Sequence, residues 1–442
     1  MMRRFLTGVF AWVVATCMAM AALADEVFEK PVRLQADGTV IDTGSKAWAH
    51  SSPCMEDLDG DGLKDLIVGD FSGKFHVYKN VGKPNAPVFH DIGKLQAGGK
   101  DASVRIYCCI GAQPRFVDLD GDGIRDFISN SYDPGHCYFF RGLPDHKFAA
   151  GVELLDKNGV PVRSSPKQKQ NFQSFGSFFT PVDWNGNGVY SLLIGCFEGH
   201  LKLRINEGTA KKAVFAEENQ DVLADGQPIQ VARHCCPVVA DWDGDGLWDL
   251  IVSSEDGGVV WYRNVGDRHA PKFAKAVTLV KKCDGNGFDR IQWSDDDIKP
   301  GVRVQIEVAD LNGDGKIDLL LGDFYSVYEP KKDLTEGQKT RLKKLLADLD
   351  SCNKPWAEKF KSFKKEFSKR YPGDASFGDK ATVEWRKAYT ALQDSPEAKD
   401  CKKREKELCQ QIRPLLAKTR HDGDESYYLQ IPHGYVWLFL RK

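Results

Sequence analysis

DLDGDGLKD at residues 57–65 returns four times in altered form: DLDGDGIRD at 118–126, DWNGNGVYS at 183–191, DWDGDGLWD at 241–249 and DLNGDGKID at 310–318. The starts lie 61, 65, 58 and 69 residues apart. Self-similarity at a near-constant period marks a repeat architecture. Each loop is followed by a short apolar run, DLIVGD, DFISNS, SLLIGC, DLIVSS or DLLLGD, which reads as a strand. The residues at loop positions 1, 3, 5 and 9 are oxygen donors spaced to face one centre, the chemistry of a hard cation and of calcium first. The candidate ligands are Asp57, Asp59, Asp61 and Asp65; Asp118, Asp120, Asp122 and Asp126; Asp241, Asp243, Asp245 and Asp249; and Asp310, Asn312, Asp314 and Asp318. Four calcium sites are expected. The loop at Asp183 keeps one carboxylate beside Asn185, Asn187 and Ser191, so weak or absent binding is expected there. An EF-hand is excluded: it needs a glutamate at position 12, where Val68, Ser129, Val252 and Leu321 stand.

The unit SSPCME–DLDGDG–LKDLIVGD–FSG–KFHVYKNVG, matched by VARHCCPVVA–DWDGDG–LWDLIVSS–EDGG–VVWYRNVG, resembles the FG-GAP/VCBS-type calcium-loop repeat also seen in integrin α chains. The resemblance spans about three quarters of the chain. It implies a β-propeller with calcium in its loops and a binding or adhesive role.

Each repeat also has an upstream strand, at 27–35, 87–96, 213–223 and 271–280. Five loops then predict an all-β fold of five four-stranded blades, with blades over 25–330. The final blade ends at Lys442 without a fourth strand. Segment 27–35 is expected to supply it, closing the ring and covering an open edge. Strand two of that blade is expected to end at Asp323, and strand three to lie within 421–442. Between them, 331–420 carries 24 Lys/Arg against 14 Asp/Glu. Leu342, Leu345, Leu346 and Leu349, then Trp356, Phe360, Phe363 and Phe367, recur at helical spacing. Pro355 should kink or restart this helix. A second helix is expected over about 380–418, making an inserted α-helical hairpin. Its basic charge could meet an anionic partner such as an acidic polysaccharide or lipid headgroups, with nucleic acid disfavoured.

Residues 1–24 read as a secretory signal: Arg3 and Arg4, an apolar stretch, then the small-residue site Ala22-Leu23-Ala24. No later segment is apolar enough to span a bilayer. The mature chain is expected outside the cytoplasm, whether periplasmic, cell-surface or secreted. Disulfides are permitted there. Cys108-Cys109 and Cys235-Cys236 are adjacent pairs, and Cys352 could bridge to Cys401 or Cys409. Neither a C-x-x-C nor a C-x-x-C-H motif is present, which removes zinc-ribbon, thioredoxin-like and attached-haem classes.

Counting back from each loop puts His50, His234 and Arg303 around one mouth of the ring, opposite the loops, with Cys235 and Cys236 beside them. This is the candidate ligand face, and a disulfide between the adjacent cysteines would make a rigid platform on it. Neither G-x-S-x-G nor H-E-x-x-H occurs, so the chain is expected not to be an enzyme but a binding or adhesion module for a glycan or an extracellular protein. The alternatives are a polysaccharide lyase using His50 or His234 as base with Arg303 holding a uronate, and a structural surface-assembly protein.

Overall fold

The computed structural model describes residues 27–44, 48–105, 110–164, 176–283, 290–370, 379–417, 419 and 429–442. The leader, Cys108-Cys109 and residues 421–428 lie outside these. No helix among the described residues is long and apolar enough to cross a membrane.

The fold is mostly β, and its plan repeats. Sheet one runs Ser52–Glu56, Asp65–Gly69, Phe75–Asn80, Phe89–Lys94, each strand antiparallel to the next. Sheets two, three and four begin at Pro114–Val117, Phe178–Val182 and Cys236–Ala240 and repeat this order in four strands each. The second strands bury both faces: Leu66, Ile67 and Val68 are fully inaccessible, as are Leu192, Leu193 and Ile194. Sheets packed on either side bury both faces of a strand, which is why these segments read as unbroken apolar runs.

The five inner strands touch in chain order, and the fifth, Val302–Ala309, returns to the first. A relay of backbone hydrogen bonds follows the same circuit. Ala112 N donates to Asp70 O (3.1 Å), Gly176 N to Tyr132 O (3.0 Å), His234 N to Phe197 O (2.9 Å), Arg303 N to Glu255 O (2.7 Å) and Ser51 N to Asp323 O (3.2 Å). Each bond ties the start of one sheet to the turn of the sheet before it. The arrangement is propeller-like.

Sheet five differs from the expectation in detail. Its second strand does not stop at Asp323 but runs Asp318–Tyr328, because Tyr325, Ser326 and Val327 find a partner in Ile431–His433. The third strand is Val436–Phe439, and Val32–Arg33 pairs with it through Leu438 and Trp437. Asp323 gathers this junction. Its carboxylate accepts from Tyr435 N (2.9 Å), Gly301 N (2.8 Å) and Trp437 Nε1 (2.9 Å). Burial nevertheless pushes it up to about 7.

His433 links three distant segments. Its Nδ1 lies 2.7 Å from Asp42 and its Nε2 3.0 Å from Glu329. Carboxylates only accept, so both ring nitrogens carry protons and the ring is cationic. Burial opposes this charge, but the two carboxylates outweigh it and hold His433 up to about 9. A raised folded-state value means stability that is complete below the unfolded value near 6.5 and lost as pH rises through about 9. Urea midpoints measured from pH 6 to pH 10 are expected to fall across that window. In His433→Gln the fall should disappear; an unchanged slope would remove the histidine from the account.

Among its described residues, the inserted segment holds three α-helices instead of two: α1 (Glu336–Arg370), α2 (Asp379–Gln393) and α3 (Pro396–Ile412). Pro355 lies inside α1 without ending it. The predicted second helix breaks at Ser395, whose hydroxyl caps α3 by accepting from Ala398 N, with Pro396 opening the new helix. α1 packs on α3. Leu342, Leu345, Leu349, Cys409, Ile412 and Leu415 form a root core with Tyr328. Further out, Phe360, Phe363 and Phe367 make tilted and edge-to-face contacts with Trp385 and Tyr389.

Candidate functional site

The aspartate loops join each inner strand to the second strand. Position 1 organises the turn: Asp57 accepts from Gly60 N (2.8 Å) and Gly62 N (3.0 Å), and Asp310 from Gly313 N (2.7 Å) and Gly315 N (2.9 Å). Gly60 and Gly62 both sit at positive φ, where a side chain would be strained. The loop at Asp183 folds in the same way, with Asn187 N and Gly188 N donating to it.

Position 9 has a role the spacing did not disclose. Asp65 is buried and accepts from Leu58 N (3.2 Å) and Asn80 N (2.9 Å), tying the loop to the third strand. Asp126, Asp249 and Asp318 repeat this tie, and Ser191 makes half of it by accepting from Asn206 N. Burial raises the pKa of all four carboxyl groups.

Carboxylate oxygens of Asp57, Asp59 and Asp61, of Asp118, Asp120 and Asp126, and of Asp241, Asp243 and Asp245 each converge within 4.8 Å. In the loop at 310, Asn312 and Asp314 are hydrogen-bonded to each other (3.2 Å). Asp120 Oδ1 and Asp243 Oδ1 are buried without a hydrogen-bond donor. A buried anionic oxygen left bare is costly, and an all-oxygen donor set suits a hard cation. Asp122 lies near Asp120 and is paired from outside, as are Asp61 and Asp245. Arg141 reaches Asp120 (2.7 Å) and Asp122 (2.8 Å), Arg263 reaches Asp243 (2.5 Å) and Asp245 (2.9 Å), and Lys79 reaches Asp59 and Asp61. Ile205 and Leu440 hold the corresponding strand position beside the third and fifth loops, and at the fifth the nearby cations are Lys316 and Arg441 instead.

At the opposite ends of the inner strands lies a cluster drawn from sheets one, three, four and five. The ring interior beneath it is filled with polar side chains. Gln113 Nε2 donates to Ile306 O (3.1 Å), and its Oε1 accepts from Cys236 Sγ (2.9 Å). Arg115 pairs with Glu307 (2.6 Å) and Ser52 with Gln305. Above this plug, Trp48 stacks on Phe71 (5.1 Å between centroids, 16° between planes) and stays 42% exposed. His50 lies between Phe71 (6.4 Å) and Phe324 (5.7 Å). Arg303 covers Phe324 at 5.3 Å and approaches Glu255 at 3.9 Å; Arg233 approaches Glu255 at 3.5 Å and covers Phe197 at 4.4 Å. His234 completes the line, 4.7 Å from Phe197.

His234 and Arg303 adopt φ of 55° and 54°. Gly176, at the same relay position in sheet three, shows 63°. Non-glycine residues seldom take this conformation, and it tends to collect at functional sites. His234 is buried with neither ring nitrogen hydrogen-bonded. Burial, then the charges of Arg303, His50 and Arg233, hold it well below the ordinary imidazole range, so it is neutral at neutral pH.

Two residues predicted for this face are not on it. Cys235 and Cys236 are wholly buried as free thiols, Cys235 in the core of sheets three and four and Cys236 in that of sheets four and five. No disulfide platform exists there. Alternation explains this: adjacent residues point to opposite faces of sheet four, and each face is packed against a neighbouring sheet. Trp48, Phe71, Phe197 and Arg233 were missed because they lie between strands, where the repeat pattern says nothing about what gathers, and Phe324 because it lies on the strand extension beyond Asp323.

Residues 241–321 match the FG-GAP-like repeat. No curated protein sequence matches the chain. Among solved structures, the GH43_1 enzyme from Xanthomonas citri complexed with xylose is similar at 10% identity and a TM-score of 0.33, over 69% of this chain and 87% of that one. The same enzyme complexed with xylotriose gives 10%, 0.33, 69% and 88%. The expectation that the chain is not an enzyme is withdrawn: the similar structures are enzymes, and at this distance they decide nothing about this chain's activity either way. Their distance transfers neither substrate nor reaction. That match assigns an FG-GAP-like repeat to the segment 241–321, which holds the fourth and fifth aspartate loops.

Proposed function

We propose that this protein is a five-bladed, calcium-organised β-propeller, exported from the cytoplasm, whose face opposite the aspartate loops takes a carbohydrate. The circuit of inter-sheet backbone bonds supports the five blades. The bare oxygens of Asp120 and Asp243 support calcium in the loops. One observation carries the ligand reading: an exposed Trp48–Phe71 stack stands in line with two arginines and a glutamate at one mouth. Flat rings receive the apolar face of a pyranose, while guanidinium and carboxylate groups bond its hydroxyl or carboxylate oxygens. A few polar groups converging in an otherwise aromatic concavity is the usual form of such a site.

His234 favours a second reading, in which the bound sugar is also acted on. A neutral imidazole beside two guanidinium groups can take a proton next to a uronate carboxylate that the arginines hold. Calorimetric titration against neutral and uronic oligosaccharides separates the readings. Trp48→Ala and Arg303→Lys are expected to weaken binding at least tenfold. If the wild-type chain turns a uronic polymer into ultraviolet-absorbing unsaturated product, and His234→Asn binds without doing so, the chemical reading stands. Asparagine is chosen because it tolerates positive φ. Absence of affinity for any saccharide would overturn both readings.

A further inference from the structure

We propose that Cys352 and Cys401 are a disulfide-forming pair that staples α1 to α3 across the waist of the helical insertion. Their sulfurs lie 3.8 Å apart. Each thiol also faces the other residue's backbone carbonyl, Cys401 Sγ at 3.2 Å from Cys352 O and Cys352 Sγ at 3.6 Å from Cys401 O. A disulfide needs sulfurs about 2.05 Å apart, so closing the bond brings the two about 1.8 Å nearer.

Among the described cysteines, Cys54, Cys137, Cys196, Cys235, Cys236 and Cys409 are buried; Cys283 is half-buried, and so are Cys352 and Cys401. A small disulfide can therefore reach them. Cys409 sits in the root core with Leu342 and Leu349 and lies eight residues from Cys401, about 12 Å along a helix at ~1.5 Å per residue. The choice that the sequence left open for Cys352, between Cys401 and Cys409, thus falls to Cys401. The pair also stands where packing changes character. One turn toward the sheets, Leu349 belongs to the aliphatic root; one turn outward, Trp356 begins the aromatic stack with Phe360. A covalent link at this level holds the outer aromatic portion, including α2, to the root.

The chemistry balances by exchange with an oxidised dithiol or glutathione disulfide. One cysteine thiolate attacks a glutathione sulfur and releases the first glutathione thiolate. The second cysteine thiolate attacks the mixed disulfide and releases the other. Two protein thiols lose two protons and two electrons, and one glutathione disulfide becomes two glutathione thiols.

The test uses the full chain, reduced, dialysed free of reductant and exposed to oxidised glutathione. Remaining thiols are alkylated, and the protein is digested without reduction and mapped by mass spectrometry. The expected product is a linked peptide pair holding Cys352 and Cys401, two hydrogens lighter than its parts, with two fewer alkylated thiols per chain. It should vanish in Cys352→Ser and in Cys401→Ser and persist in Cys409→Ser. Linkage of either residue to Cys409 or to another chain, or recovery of both as alkylated or singly glutathionylated thiols, would overturn the assignment. The wild-type map is decisive even if a serine variant fails to fold.

Discussion

Removal of calcium is expected to lower the melting temperature of this protein substantially. Metal held only by the folded chain stabilises it by mass action, about 2.7 kcal/mol for each site at a hundredfold excess over its Kd. With three convergent carboxylate clusters and a fourth loop of three aspartates and an asparagine, the summed effect reaches several kcal/mol by the same relation. The bare oxygens at Asp120 and Asp243 are the physical reason, since clustered carboxylates repel when nothing sits between them. Calorimetric melting in calcium and in chelator measures the difference. Asp241→Ala should remove one bound ion and Asp183→Ala none. Because Asp241 also accepts from Asp245 N and Gly246 N, its loss disturbs the turn as well. Asp243→Asn is the cleaner variant: affinity at that loop should fall while melting in chelator holds. Identical melting with and without calcium would leave the loops as plain turns.

The second large effect is expected at Gly322. A methyl group there would lie 2.1 Å from Ser51 O and 2.6 Å from Pro53 Cδ, contacts that no side-chain rotation relieves. Gly69 stands in the same relation to Ala112 O (1.7 Å) and Gly195 to Cys235 O (1.8 Å). Sheet-to-sheet approach this close admits only hydrogen. Overpacking of this kind costs about 1–3 kcal/mol and sometimes more. Gly322→Ala strikes the contact between the last sheet and the first, so it tests closure of the ring. Gly337→Ala, in open space on α1, is the control and should cost nothing measurable. Equal melting temperatures for the two variants would mean that sheets five and one do not meet as described.

How much could be read without coordinates depended on range. The turns at Asp57 and Asp310 were recognisable because an Asx-type turn is held by hydrogen bonds within six residues. The second strands were recognisable because burial on both sides leaves an unbroken apolar run. The break at Ser395–Pro396 was written in the sequence as an N-cap followed by proline, yet the leucine and lysine periodicity around it obscured the signal. The extension of the strand to Tyr328 depended on a partner over a hundred residues away, at Ile431–His433, and no local pattern announces that.

By itself, the sequence determined where the chain turns, which short runs are strands, and which oxygen donors share a loop, because each of these is settled among near neighbours. Only the tertiary structure decided which side chains share the opposite mouth, that Cys235 and Cys236 are withdrawn into the core, and that Cys352 faces Cys401. Those outcomes rest on register between strands and on contacts between sheets and helices. Such contacts join residues tens to hundreds of positions apart, and a one-residue slip would send each side chain to the other face.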